Sequence, residues 1–527
     1  MKYKLHVITS LLALCVAPAH AQNTASAPFQ IVEATIDDIH MAFRSGRLTA
    51  RQLVQGYLDR INAHDKQGPN INSIITINPN ALAEADKLDA AFRVSGLVGP
   101  LHGATILVKD EVDTAGMPTT LGTVVFKDYR PPPKDAFVID KLRKAGAIIL
   151  GKTTLSEFAA GDTYGSIFGV TRNPYDLDRT VGGSSGGSGA ALAANFSTVT
   201  IGEETVASIR RPGAWNAVVS LRPTPGLVSR TGMWDGYPTV HAQMGPMART
   251  VRDLAKLLDG MVGYDPEDPV TALGVGKVEG SYTKYLDQGA LNGARIGILR
   301  ESIGNQSDPN SADFKIVDAA FAKNVAELKA AGATLVDPIV IPNLKKLLST
   351  RERNPIETEA ALELYLTRNP GSPFKTRADI INSPDIEKSF PPPNVARYRA
   401  PLPPLNAARY LEYVSARDEL MIMIAKVMAD NKLDAIVHRS VEHEPTLIKD
   451  GINPPYVTTR GVPTLNTFLI FAGSVTVPSG FTSNNLPVGI TFFGLPYSEP
   501  VLLKLAYSYE QATHHRVPPK TTPALTK

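Results

Sequence analysis

Apolar residues recur at helical spacing near the start of the chain, at Ile36, Ile39 and Phe43, then at Leu53, Tyr57, Leu58 and Ile61. Thr35-Ile36-Asp37-Asp38 and Thr49-Ala50-Arg51-Gln52 stand where capping boxes would open these two helices. Residues 70–78 alternate in the manner of a strand, and Ala81 to Phe92 return to a helical period. Leu101 to Asp110 contains an apolar run of strand length with Lys109 at its end. Residues 136–145 read as a helix, and Ala147 to Leu150 as a short buried strand. The alternation continues through residue 260 and predicts an α/β fold with parallel strands. Residues 340–430 break the pattern with proline clusters (Pro391-Pro392-Pro393, Pro401, Pro403-Pro404) between charged helices, an irregular insert over the core. Beyond Leu433, Val475 to Pro478 and Val488 to Phe493 flank an Asn484-Asn485 turn and predict a hairpin; Leu502 to Thr513 is a closing helix.

Composition adds boundaries to this picture. The 527 residues, 43% hydrophobic and 20% charged, suffice for a large core. The first 21 residues read as a cleavable secretory signal: Lys2 and Lys4, an apolar run from Leu5 to Val16, then Ala19-His20-Ala21. The mature chain would begin at Gln22 as a single domain, 22–527, periplasmic or secreted. The apolar run is too short to span a bilayer, and no later segment is long and apolar enough. The one cysteine, Cys15, falls inside the signal, so disulfides, Cys–metal sites and a Cys nucleophile drop out of the mature protein. Loss of Lys2 and Lys4 takes the formal charge from +3 to +1, which offers no attraction to nucleic acid or an anionic membrane.

The densest candidate for chemistry is the turn Gly182-Gly183-Ser184-Ser185-Gly186-Gly187-Ser188-Gly189, which opens into the small-residue run Ala190 to Ala194. Such a loop can be an anion cradle, a linker or the scaffold of a reactive serine. The apolar helix and strand that follow it argue against a linker. Other matches are weaker. Gly146 to Thr153 fits the phosphate-loop expression, but its variable residues Ala147-Ile148-Ile149-Leu150 are a buried strand. Gly182 to Gly186 fits the nucleophile elbow, but Asp176 to Thr180 is not the hydrophobic strand that motif requires. His438, Glu442 and His443 miss the inverted zinc motif by one residue, and His514-His515 is simplest as a solvated pair. Lys109 and Ser208 allow two readings: a snorkelling lysine with a capping serine, or a base with its nucleophile. The second requires a neutral amine, its pKa brought from about 10.4 toward 7 by burial without a carboxylate partner, at ~4–5 kcal/mol.

Taken as a set, these residues resemble the amidase signature family of serine hydrolases. The resemblance is carried by Gly99-Pro100-Leu101-His102-Gly103, Val108-Lys109-Asp110, Gly151 to Phe158, Thr171 to Asp176, the glycine–serine turn, Ser208-Ile209-Arg210, Leu221 to Thr224, Gly245 to Thr250 and the region from Gly461 to Glu510. It covers almost all of residues 30–515. It implies a large mixed, mostly parallel central sheet covered by helices on both faces. It also implies a Ser–Ser–Lys triad: Ser208 as nucleophile, Ser184 as the bridging serine after a cis peptide at Gly183–Ser184, and Lys109 as base. Backbone amides of Thr205, Val206, Ala207 and Ser208 would stabilise the oxyanion. The implied reaction is hydrolysis of an amide to a carboxylic acid and an amine, on a small or peptide-like substrate, with no cofactor or metal, in a monomer or homodimer. Glu204-Thr205-Val206-Ala207 departs from the family's Asp-Thr-Gly-Gly, which puts rate and substrate range in question. The alternatives are a binding protein that kept the fold and lost turnover, and an amidotransferase-type subunit. Trp234, Tyr237, His438 and the insert are the expected pocket lining.

Overall fold

A computed structural model describes Met1 and residues 29–525, except 130–131, 240, 279, 351, 353, 464 and 466–471. The signal-like segment with Cys15 and the expected new terminus at Gln22 lie outside the described residues, apart from Met1.

The two expected helices open the structure as α1 (Ile36–Arg44) and α2 (Ala50–His64), each started by its capping box. Then follow β1 (Ile74–Ile77), α3 (Ala81–Ser95), β2 (Thr105–Lys109), α4 (Phe137–Lys144) and β3 (Ile148–Thr153). Two small ribbons come next, β4 (Tyr164–Gly165) with β5 (Gly169–Val170), and β6 (Arg172–Asn173) with β7 (Asp176–Thr180). The chain continues through α5 (Gly186–Ala193), β8 (Val199–Glu204), α6 (Arg210–Trp215), β9 (Val219–Arg222), β10 (Gln243–Ala248) and α7 (Val251–Met261). After β11 (Arg295–Ile298), α8 (Ala312–Ala330) and β12 (Thr334–Val336) come five helices of the insert: α9 (Leu344–Ser349), α10 (Pro355–Arg368), α11 (Arg377–Ile381), α12 (Pro393–Arg399) and α13 (Ala407–Asn431). The closing elements are β13 (Ala435–Arg439), α14 (Ile448–Ile452), β14 (Ser474–Phe481), β15 (Pro487–Phe493) and α15 (Glu499–Thr513).

Eleven strands form one mixed sheet in the order β1-β3-β2-β8-β10-β9-β14-β15-β13-β11-β12. The pairing is parallel in two blocks, β3-β2-β8 and β13-β11-β12, and antiparallel between them and at β1. The parallel core inferred from strand–helix alternation thus holds within the blocks and not in the middle. There β14 and β15 form the expected hairpin, with Asn485 at φ 59° in its turn.

Strand alternation explains why both sheet faces need cover. On β2, Ile106 and Val108 join the core containing Leu142, Leu254 and Leu258 of α4 and α7, whereas Leu107 points into the core of Ile39, Leu53 and Tyr57 from α1 and α2. Every residue of β2, β3 and β8 is buried, and in β2 and β3 continuous apolar runs replace an alternating pattern.

Several prolines of the insert begin helices, Pro355 in α10 and Pro393 in α12, where a missing N–H costs nothing. The insert is tied to the core through polar groups. Buried Asp113, just beyond β2, accepts from Tyr365 Oη at 2.9 Å and Asn369 Nδ2 at 2.8 Å. Glu157 accepts from Phe390 N at 2.6 Å, and its carbonyl takes the Tyr398 hydroxyl at 2.5 Å. None of the described helices is long and apolar enough to cross a membrane.

One buried carboxyl makes stability depend on pH. Glu510 on α15 accepts the Val251 amide at the start of α7 at 2.8 Å. Burial pushes its pKa from an ordinary 4.5 up to about 7, with nearby Asp253 adding to the rise. A pKa raised on folding stabilises fully below the unfolded value and loses that contribution as pH rises through the folded one. Glu510→Gln keeps an acceptor and removes the charge. It is expected to be more stable than wild type at pH 8, by ~2–3 kcal/mol, and not at pH 4, in urea melts.

Candidate active site

Two neighbouring strands bring the site together. Val108 of β2 is level with Ile201 of β8, so the ends of both strands meet at one sheet edge. Lys109 ends β2, and Glu111 lies two residues on. Glu203 and Glu204 end β8. Lys109 Nζ donates to Ser184 Oγ at 2.7 Å. The same Nζ lies 2.7 Å from Glu203 Oε2 and 2.8 Å from Glu111 Oε1. Lys109, Glu111, Ser184 and Glu203 are all buried.

This overturns the expectation of an amine buried without a carboxylate partner. Burial alone would lower the pKa of Lys109, but Glu111 and Glu203 outweigh it and the net shift is upward. Burial and the neighbouring Glu203 drive Glu111 well up. Burial would raise Glu203 too, yet Lys109 and hydrogen bonds from Glu111, Lys109 and Thr205 hold it below the ordinary value. Thr205 Oγ1 donates to Glu203 Oε1 at 2.9 Å. These directions favour the charged form of Lys109 and Glu203 and the neutral form of Glu111.

The glycine–serine turn is fixed by its small residues. The Gly183–Ser184 peptide is cis, as expected. A Cβ on Gly183 would fall inside 3.0 Å of Ser156 Oγ and the Gly161 carbonyl, so another side chain does not fit. Ser185 joins the parts: its Oγ donates to the Glu203 carbonyl at 2.9 Å and accepts the Glu203 amide at 3.1 Å, while its amide donates to the Ser208 carbonyl at 3.1 Å. Buried Arg211 of α6 donates Nε and Nη2 to the Gly183 carbonyl at 3.1 and 2.8 Å and pairs with Asp162 at 2.7 Å.

Ser208 lies on the loop between β8 and α6. Glu204 shapes that loop by accepting the amides of Ile209 and Arg210, both at 3.0 Å, and pairing with Arg210 Nε at 2.8 Å. Thr205, Val206, Ala207 and half-buried Ser208 line a cavity of about 550 Å³, together with Glu111, Gly183 and Glu203. The lining also holds the aromatic residues Phe158, Trp234, Tyr398, Tyr410 and Tyr413, the last three from the insert, beside charged Glu357, Arg377 and Arg397. Trp234 and the insert line the pocket as expected. His438 and Tyr237 are not among the described lining residues. His438 is buried in β13 with Nδ1 2.6 Å from the Arg439 carbonyl oxygen, and burial pushes its pKa down to about 3. Tyr237 lies under the Arg230 guanidinium at 5.8 Å.

The discarded motifs have other roles. Ile148–Thr153 is β3, a strand inside the sheet, and Lys152 pairs with Asp110 at 2.9 Å. Asp176–Thr180 does form a strand, β7, but a polar one that forms a small ribbon with β6 outside the main sheet. Glu442 accepts the Ile303 amide at 2.7 Å, His443 Nδ1 lies 2.8 Å from Asp313 Oδ2, and His515 Nε2 lies 2.9 Å from Glu327 Oε2. Among the described residues no group of three or more His, Cys, Asp or Glu could hold a metal. Sequence reasoning missed Glu111 and Glu203. Their signal was an acid beside the end of each of two buried strands, visible only once those strands are known to be neighbours.

Known proteins resemble this chain along nearly its whole length. The Amidase family profile matches residues 52–503. A probable amidase of Arabidopsis thaliana is 32% identical, over 98% of this chain and 96% of its own. A glutamyl-tRNA(Gln) amidotransferase subunit from Chloroflexus aggregans is 34% identical over 92% and 98%. The native peptide amidase of Stenotrophomonas maltophilia superposes with a TM-score of 0.81 at 34% identity, covering 94% of this chain and all of that one. A family match spanning most of the chain, relatives similar over nearly their whole length and a shared mixed-sheet fold lead to one assignment: this chain belongs to the amidase signature family.

Proposed function

We propose that this protein hydrolyses the C–N bond of a small or peptide-like amide through an acyl-enzyme on Ser208. The observation that carries this reading is the 2.7 Å hydrogen bond from Lys109 Nζ to Ser184 Oγ, on a turn whose next residue is bonded to the Ser208 carbonyl. The proton of Ser208 passes to Ser184, and that of Ser184 to Lys109, as Ser208 Oγ attacks the amide carbonyl. The turn Thr205 to Ser208 lines the cavity, so its backbone amides are the candidate oxyanion donors. Proton return to the leaving nitrogen expels an amine, and water then cleaves the acyl group. The aromatic part of the lining suits a substrate with an apolar side chain, which accords with the peptide amidase among the similar structures. The signal-like segment at residues 1–21 supports action in the periplasm or outside the cell.

A fluorophosphonate probe tests the chemistry. Wild type is expected to gain the adduct mass on Ser208, and Ser208→Ala is expected to lose both labelling and at least ~10³-fold in hydrolysis of a peptide-amide panel. Val206 and Ala207, whose side chains replace glycines at the cavity wall, favour one second reading, a binding protein without turnover. Unlabelled wild type, inert on the whole panel, would support that reading instead.

A further inference from the structure

Given the acyl-transfer chemistry proposed above, on which this step rests, we infer that Glu203 is the terminal proton acceptor of the relay, acting through Lys109. As Ser184 passes a proton to Lys109 Nζ, Lys109 passes one to Glu203 Oε2, and Glu111 holds the second carboxyl proton against Glu203.

The geometry demands such a partner. An ammonium has three donors and no lone pair. Three side-chain oxygens crowd Lys109 Nζ, Ser184 Oγ at 2.7 Å, Glu203 Oε2 at 2.7 Å and Glu111 Oε1 at 2.8 Å, with the Glu203 carbonyl farther off at 3.4 Å. In that state it donates to Ser184 and cannot accept from it. Lys109 becomes a base only by releasing a proton to one of the two carboxyls. Lys109 donates to Glu203 Oε2 with hydrogen-bond geometry, whereas its 2.8 Å approach to Glu111 Oε1 lacks that geometry, so the acceptor is Glu203. Moving one proton across 2.7 Å converts a buried ion pair into a neutral amine and a neutral acid, leaving the cluster's net charge unchanged.

The steps balance. The Ser208 O–H bond breaks as its oxygen bonds to the carbonyl carbon, and the proton goes to Ser184. The Ser184 proton goes to Lys109, and a Lys109 proton to Glu203. When the tetrahedral intermediate collapses, the same path returns one proton to the departing nitrogen.

The charges around the cluster are paired elsewhere. Asp110 is held by Lys152 at 2.9 Å, Glu204 by Arg210 at 2.8 Å and Arg222 at 4.0 Å, and Arg211 by Asp162 at 2.7 Å. Arg222 also feels the charge of Glu203, and His241 shares the cavity wall.

Two mechanisms predict opposite signs for Glu203→Gln. If Lys109 acts alone, removing an anion beside it lowers its pKa, and neutral-pH activity holds or rises. If Glu203 takes the proton, kcat falls ~10²-fold or more with KM little changed, and Glu203→Asp restores part of the loss. The measurement is the pH profile of kcat and kcat/KM, on the panel amide that wild type hydrolyses, for wild type, both variants and Ser208→Ala, with circular dichroism as the folding control. The acid limb of wild type is expected in the carboxylate range and to move toward the amine range in Glu203→Gln. An unimpaired Glu203→Gln, or a wild-type acid limb already in the amine range, overturns the inference. The second result needs no variant, so it stands even if Glu203→Gln does not fold. An active Ser208→Ala, or an unlabelled and inert wild type, would instead remove the acyl-enzyme reading itself.

Discussion

Lys109→Met is expected to abolish hydrolysis and to destabilise the fold more as pH rises. In wild type one buried cation offsets Glu203 and holds both carboxyl groups within 2.8 Å. Without it, two acids face each other in the interior, and ionising either has no compensation. Breaking a buried ion pair by removing one partner costs about 3–5 kcal/mol. The sign follows from linkage. In the variant, burial raises both folded-state pKa values above those of the unfolded chain. Stability is retained below the unfolded carboxylate range and lost as pH climbs through the raised values. Urea melts at pH 5 and pH 8 check this: the deficit should be small at the first and at least ~3 kcal/mol at the second. Equal deficits would mean that the carboxyls do not depend on the lysine for their charge state.

The second large effect is expected from a single methyl group. Gly187 is in α5, where helix propensity favours alanine by ~1 kcal/mol. The site decides otherwise. A Cβ there would lie closer than 3.0 Å to the carbonyl oxygen, hydroxyl and amide nitrogen of Thr154. Thr154 cannot retreat, since its amide is bonded to the Ser73 carbonyl at 2.8 Å and its hydroxyl is 2.8 Å from that of Thr171. Overpacking of this kind costs about 1–3 kcal/mol or more, so Gly187→Ala is expected to be net destabilising by ~2 kcal/mol. It would also displace the turn that carries Ser184 and lower kcat. A stabilised, fully active variant would show that α5 moves freely against β3.

Much of the scaffold was legible because local signals agree with the fold. Thr35 and Thr49 announce their helices through side chains that reach only three residues, and Asn484-Asn485 announces a turn by its own backbone preference. Lys109 at a strand end and the glycine–serine turn were visible as candidates for the same reason. What stayed hidden depends on which strands are neighbours. Nothing near Glu203 says that β8 lies beside β2, and nothing near Glu111 says that it faces across to Glu203. The expectation of a solitary amine failed on that point. The pairing in the middle of the sheet was obscured likewise, since β9 reaches its partner β14 from a stretch more than two hundred residues away. His438 was misplaced into the pocket because a polar residue in an apolar strand resembles a site residue until its ring finds a carbonyl.

The attachment of the insert carries a last consequence. Every group in the proton path comes from residues 109–208, at the ends of β2 and β8 and on the turns beside them, whereas Tyr398, Tyr410 and Tyr413 come from a separate stretch tied to the core in part through Asp113 and Glu157. The reacting groups and part of the cavity lining thus come from different parts of the chain. Substitutions among those three tyrosines are expected to change which amides are accepted while leaving the proton path in place.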